Sequence, residues 1–240
     1  MSTVLLVRHG RTAANSQGTL AGWSPDIHLD ERGQAQVEAL ATRLQGLPLA
    51  AVVSSPLERC VETATALAAG RDLTLSVDDA LGEVHYGDWT GEPLKALAKQ
   101  PLWKVVQQHP SAAVFPGDGG EGLAAMQARA VAAVRRWNAE QGDDAIYCVV
   151  SHGDVIKALV ADALGLHLDL FQRIVVDPAS VSVIRYGTTR PFLDRLNDTG
   201  GDVSGLAPPK KRRRRSSSAD DAVVGGGAGS TTARPRKKRT

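Results

Sequence analysis

Over the first two hundred positions, short continuous apolar runs alternate with stretches in which apolar residues recur every three or four positions. Short unbroken runs fit strands buried on both faces, and the longer spacing fits helices with one apolar side. Residues 4–7 form the first run. After a polar loop, Asp30 is placed to cap a helix carrying Val37, Leu40, Ala41 and Leu44, which Gly46 and Pro48 close. A second strand is expected at 51–54, a helix through Leu57, Cys60, Val61 and Ala64, and a short third strand at 73–77. Residues 92–118 break the rhythm and end in Pro116-Gly117-Asp118-Gly119-Gly120, an irregular excursion suited to covering something. A long helix with Leu123, Met126, Ala130, Val134 and Trp137 on one side follows, then a strand at 146–150 and a helix through Val155, Ile156, Leu159, Val160 and Ala163. The runs at 180–186 and 192–196, separated by Gly187-Thr188-Thr189, predict a hairpin. Strand and helix in alternation specify an α/β fold, a three-layer α/β/α arrangement around a mostly parallel central sheet.

Composition changes this picture at one end only. With 42% hydrophobic and 22% charged residues, the 240-residue chain is neither collagen-like nor wholly disordered, and its length suits one domain with an extension. All ten aromatic residues lie at or before Phe192. The net charge of +2 is the sum of two unlike parts: residues 207–240 carry 11 Lys and Arg against 2 acids, or +9, which leaves −7 for the rest. A folded domain at 1–197 and a disordered basic tail at 198–240 are therefore expected, because the tail buries too little apolar surface to offset the entropy of ordering it. The apolar start is too short for a secretion signal and no run is long enough to span a bilayer, so the protein is expected in the cytoplasm, away from membranes. Cys60 and Cys148 are far apart and lie inside apolar patterns, which argues for a reducing compartment.

The reactive residues cluster by position. Arg8 and His9 follow the first strand, Ser54-Ser55-Pro56 with Arg59 follow the second, and Ser151-His152-Gly153 follow the strand at 146–150. Ligands of open parallel sheets bind at the carboxyl ends of the strands, so three segments deliver two Arg and two His to one rim.

At this point the sequence resembles the histidine phosphatase superfamily, the phosphoglycerate-mutase-like proteins. Leu6-Val7-Arg8-His9-Gly10-Arg11-Thr12 with Asn15 looks like the family's opening signature, and Leu29-Asp30-Glu31-Arg32-Gly33 like the start of its next helix. Ser54-Ser55-Pro56-Leu57-Glu58-Arg59 with Glu62-Thr63-Ala64 resembles the second motif, Leu81-Gly82-Glu83 with Gly87-Asp88-Trp89-Thr90-Gly91 the third, and Val150-Ser151-His152-Gly153 with Ile156 the last. The resemblance implies that His9 is the nucleophile, that Arg8, Arg59 and His152 form the phosphate pocket, and that Glu83 donates the proton. His152 thus counts among both the catalytic and the phosphate-binding residues. Asn15 and Thr19 either contact the phosphoryl group or bond the loop after the first strand.

Physical chemistry agrees with these roles. Planar Arg forks suit the three equatorial oxygens of a transferring phosphoryl group. Surrounding cations should lower the His9 pKa and keep its imidazole neutral for attack, giving a phosphohistidine. A carboxyl held protonated in a desolvated pocket can protonate the leaving alkoxide and then activate water. His28, His109 and His167 read as surface residues, Trp89 as core, and His85 as either a pocket or a loop-packing residue. No Asp, His or Cys cluster has metal-site spacing, so neither a metal nor another cofactor is expected.

Mutases of this family place adjacent arginines in a longer cover, whereas residues 72–128 here contain no Arg and offer only Lys95, Lys99 and Lys104. Gly119-Gly120-Glu121-Gly122 resembles the Gly-Gly-Glu-Ser turn of the family's phosphatases, with Gly122 in place of Ser. The expected activity is a metal-independent phosphomonoesterase acting on a small phosphorylated metabolite, of the phosphatase-type branch. A phosphomutase on a substrate other than phosphoglycerate is the alternative, as in relatives labelled probable phosphomutases in actinobacteria. A third reading, from another class, is a polyanion-binding protein: six consecutive cations begin at Lys210 and end at Arg215, and a second basic run occupies 234–239. With no aromatic residue among them, contact with nucleic acid would be independent of sequence. Ser216, Ser217 and Ser218, directly after the first run, could accept phosphate. A homodimer is common in the family.

Overall fold

The computed structural model describes residues 1–201 and 224–227. In chain order the elements are β1 (Ser2–Arg8), α1 (Ala13–Gln17), α2 (Glu31–Leu44), β2 (Leu49–Ser54), α3 (Glu58–Ala68), β3 (Leu75–Val77), α4 (Leu94–Leu97), α5 (Pro101–Gln108), α6 (Leu123–Gln141), β4 (Ile146–Ser151), α7 (Gly153–Ala163), β5 (Val181–Tyr186) and β6 (Pro191–Asp198). The strands form one sheet in the order β3-β2-β4-β1-β5-β6. Pairings on the β3 side of β1 are parallel; β5 and β6 form the expected hairpin and add antiparallel pairs at the other edge.

Alternation along the central strands divides the core. Val4 and Leu6 of β1 and Tyr147 and Val149 of β4 join one buried cluster with the apolar sides of α6 and α7. Leu5, Val7, Cys148 and Val150 point the other way and pack with Val37, Leu40 and Leu44 of α2 and with Cys60, Ala64 and Leu67 of α3. A period of two in a strand buried on both faces thus generates the three layers directly. Asp30 caps α2 by accepting from the Gly33 amide at 2.8 Å, as its position implied.

The excursion does cover something. Its rings Trp103 and Phe115 pack into the α6–α7 side of the core against Trp89, Trp103 stacked at 6.2 Å and Phe115 edge-on at 5.3 Å between centroids. At its leading end the Leu94 amide donates to the Gly18 carbonyl, which fixes α4 over the loop after β1.

Two expectations need correction. The loop after β1, read as polar, contains α1, capped reciprocally by Thr12 and Asn15, and the excursion, read as irregular, contains the helices α4 and α5. Beyond residue 201 the structure describes residues 224–227, which lie against the domain, with Val224 only 1% exposed within the α6–α7 core cluster. The composition argument counted apolar side chains. Apart from Val224, this contact is made by the backbone of Gly225, Gly226 and Gly227. The basic runs at 210–215 and 234–239 and the serines at 216–218 lie outside the described residues.

Candidate active site

The sheet ladder sets the position of the reactive residues. Arg8 pairs with Ser151 at the end of β1 and β4, the His9 amide donates to the Ser151 carbonyl at 3.0 Å, and the Ser55 amide donates to the Val150 carbonyl at 2.9 Å. The carboxyl ends of β1, β2 and β4 therefore present their residues side by side. The loop carrying His9 is pinned from both sides. The Gly10 amide donates to Thr63 Oγ1 of α3 at 3.1 Å. On α2, a Cβ at Gly33 would lie 2.0 Å from the Arg11 carbonyl oxygen, so only glycine permits the helix to approach so closely.

His9 is 2% exposed and shares its Nδ1 with the Gly10 carbonyl at 2.7 Å. A carbonyl only accepts, so Nδ1 carries the proton and Nε2 keeps its lone pair, a tautomer assigned from this bond. Burial, then the charges of Arg59 and Arg8, hold the His9 pKa well below the ordinary histidine value. The sequence argument named the cations; desolvation is the larger cause.

Arg8 and Arg59 are both buried. Arg59 Nη2 donates to the Gly22 carbonyl at 2.9 Å and to His152 Nδ1 at 3.2 Å. Because guanidinium only donates, His152 Nδ1 accepts, and Nε2–H donates to Ser55 Oγ at 2.7 Å. His152 is also held neutral, first by burial and then by Arg59. Its ring lies 5.3 Å from that of His9 between centroids. Arg8 Nη1 donates to the Val176 and Gly227 carbonyls. Arg8 Nε and Arg59 Nη1 are buried and meet no hydrogen-bond acceptor among the described residues. Orphaned guanidinium donors are costly inside a protein unless an anion completes them.

Glu83 is 3% exposed, and its pKa is pushed up to about 7, first by desolvation and then by the charge of Asp154. Its Oε2 lies 3.9 Å from His152 Nδ1, and its Oε1 accepts from the Val84 amide. The backbone around it is held by donors far away in sequence. The Glu83 carbonyl accepts from Trp23 Nε1 at 2.6 Å and Arg129 Nη2 at 2.9 Å. Arg129 of α6 also donates to the Ala80 and Gly82 carbonyls and forks onto both carboxylate oxygens of Glu121 at 2.7 and 2.8 Å.

His9, Arg59 and Glu83 open onto one cavity of about 260 Å³, whose wall includes Thr12, Asn15, Thr19 and Leu94. Asn15 Oδ1 is committed to the amide and hydroxyl of Thr12, which favours its loop-bonding role. His85 stays outside: it is exposed and stacks on Trp23 at 4.3 Å. His28, His109 and His167 are surface residues.

Sequence reasoning missed Arg129, Trp23 and Asp154. Asp154 is fully buried and accepts from Tyr86 Oη at 2.9 Å and Lys157 Nζ at 3.2 Å. An acid directly after the His152-Gly153 pair was the one available signal.

Residues 4–199 match the model of the histidine phosphatase superfamily (branch 1). The chain is 31% identical over 206 residues to phosphoserine phosphatase 1 of Hydrogenobacter thermophilus, covering 83% of this chain and 93% of that protein. It is 31% identical over 184 residues to the adenosylcobalamin/alpha-ribazole phosphatase of Escherichia coli, covering 75% and 87%. Among solved structures, the mycobacterial glucosyl-3-phosphoglycerate phosphatase in complex with VO3 superposes with a TM-score of 0.73 at 28% identity, over 82% of this chain and 98% of that one. Motifs, fold and relatives converge: the chain belongs to the histidine phosphatase superfamily, branch 1.

Proposed function

We propose that this chain is a metal-independent phosphomonoesterase that hydrolyses a small phosphorylated metabolite through a phosphohistidine on His9. The observation that carries the reading is a neutral His9 with Nδ1–H held by Gly10, facing the same cavity as Arg59 and a carboxyl whose pKa lies at about 7. In the first half-reaction Nε2 attacks phosphorus in line, the ester P–O bond breaks, and Glu83 gives its proton to the leaving oxygen. In the second, water attacks the phosphohistidine while the Glu83 carboxylate takes its proton, which releases inorganic phosphate and returns both residues to their starting states. Arg8 and Arg59 meet the charge on the phosphoryl oxygens. His152, already bonded to Arg59, orients that guanidinium and supplies a further polar group beside it.

The relatives' names support a small phosphate ester as substrate. Hydrolysis rather than transfer between positions is favoured by the absence of Arg from residues 72–128. Purified protein should hydrolyse an aryl phosphate and members of a phospho-metabolite panel, with His9→Ala slower by at least about a thousandfold. Equal rates for the two proteins would end the proposal, and isomerised ester in excess of free phosphate would replace it with a mutase. The six cations from Lys210 to Arg215 support an accessory contact with nucleic acid or another polyanion. A cytoplasmic site of action and a homodimer complete the proposal.

A further inference from the structure

Residues 224–227 lie on the phosphate pocket, and their contacts are specific. The Gly227 carbonyl accepts from Arg8 Nη1 at 2.8 Å and the Gly225 carbonyl from Arg8 Nη2 at 3.4 Å, so two oxygens straddle one guanidinium fork. The Gly225 amide donates to the buried Asp154 carboxylate at 2.9 Å, and Val224 anchors the segment in the core. Gly225 and Gly226 have φ of 73° and 74°, and a Cβ on Gly226 would lie 2.8 Å from Arg8 Cζ. The approach therefore requires glycine on both steric and backbone grounds. With the segment in place Arg8 is fully buried, and the cavity is walled by His9, Arg59 and Glu83 together with residues 224–227 but not by Arg8.

We infer that residues 224–227 are an intramolecular ligand of the phosphate pocket, whose two carbonyl oxygens occupy the Arg8 fork that the substrate's phosphoryl group needs and which the substrate must displace. A phosphoryl group offers the fork two oxygens with full negative charge, a stronger bond than two neutral carbonyls make. The segment has the advantage of being tethered, and thus present at a high effective concentration. The result is a built-in competitor that raises the substrate concentration needed for turnover and discriminates against weakly bound esters. The inference rests on Arg8 as a phosphate ligand, as proposed above.

The test uses full-length chains. Gly226→Ala places a methyl group against Arg8, and Val224→Asp puts a charge at the buried anchor. Both should lower the KM for an aryl phosphate at least ~5-fold, because apparent affinity scales with the competent fraction, and leave kcat near that of the parent. Both should also tighten the Kd for inorganic phosphate, measured by calorimetry, by the same factor. A synthetic peptide spanning residues 221–228 should inhibit the Gly226→Ala protein competitively. An unchanged or raised KM with an unchanged Kd in the Gly226→Ala protein overturns the inference, as does a collapse of kcat there, which would make the segment a required wall. If neither parent nor variant turns over but phosphate still binds more tightly to the variants, the competitor stands and the phosphatase reading falls. Absence of phosphate binding to every form overturns both.

Discussion

Glu83 bears the clearest conflict between stability and chemistry. Its carboxyl has a pKa of about 7 in the fold against an ordinary value of 4.5. Between these values the unfolded chain loses its proton while the folded one keeps it, so native stability declines as pH rises through that window and levels off above it. The penalty reaches about 3 kcal/mol at 1.36 kcal/mol per unit. Glu83→Gln removes the titration. It should be more stable than the parent above pH 7 by thermal melting, while its kcat falls by ~10²–10⁴ through loss of the general acid. A variant less stable than the parent at pH 8 would show that the side chain's hydrogen bonds outweigh its desolvation. In the parent, kcat should decline above pH 7 as the acid form is lost. The acid side of the profile should lie well below pH 6.5, since burial and two arginines hold His9 and His152 neutral.

Among the elements, α6 contributes most to the site without reaching the cavity. Arg129 ties the Ala80, Gly82 and Glu83 carbonyls of the Glu83 loop to Glu121. Arg129→Lys keeps the charge but cannot span carbonyls and a carboxylate with one planar fork. A drop in kcat of about tenfold to a hundredfold, with KM for the aryl phosphate little changed, is expected from misplacement of the acid. A change confined to KM would assign Arg129 to substrate binding instead. The same helix begins at Gly122 without a side-chain cap, although a Cβ there would have ordinary contacts, the nearest at 3.6 Å. Gly122→Ser should supply the missing cap and raise stability by a few tenths of a kcal/mol, about one degree in Tm. A fall of several degrees would mean that the hydroxyl cannot reach the helix.

These elements also show what the sequence discloses. Apolar runs placed β1, β2 and β4, because a strand buried on both faces has few polar positions to confuse the pattern, whereas the half-buried or exposed edge strands β3 and β6 were marked only by short apolar runs and, for β6, the hairpin turn before it. They missed α1, whose residues Ala-Ala-Asn-Ser-Gln carry no apolar stripe and whose definition comes from capping. Arg8, His9, Arg59 and His152 were legible because short motifs follow strand ends, and Glu83 because its motif resembles the family's. Arg129 was not, since the carbonyls it holds lie some fifty residues upstream and no local spacing reports them. The seat of residues 224–227 was hidden for another reason: a glycine contact is made by backbone, and backbone has no signature in composition.

The molecule as a whole joins an acidic body of −7 to an extension of +9. Attraction between the two parts and attraction of the tail to polyanions are both screened by salt. Retention on a polyanion column should fall steeply as salt rises, in keeping with counterion release by several cations. It should vanish on removal of residues 207–240. Equal retention of the shortened chain would place the contact on the folded domain.

Cys60 and Cys148 lie on α3 and β4, in the middle of the α2–α3 layer. Cys60 sits 3.4 Å from His152 Nε2, a pairing of thiol and imidazole that in open solvent would make a reactive nucleophile. Here burial pushes both thiols up to about 12. Neither can react with an alkylating reagent until the layers separate. The rate at which a thiol reagent labels the native protein thus becomes a clock for the opening of the sheet, readable without denaturant. Labelling that outpaces global unfolding would show that the layer behind the phosphate pocket opens by itself.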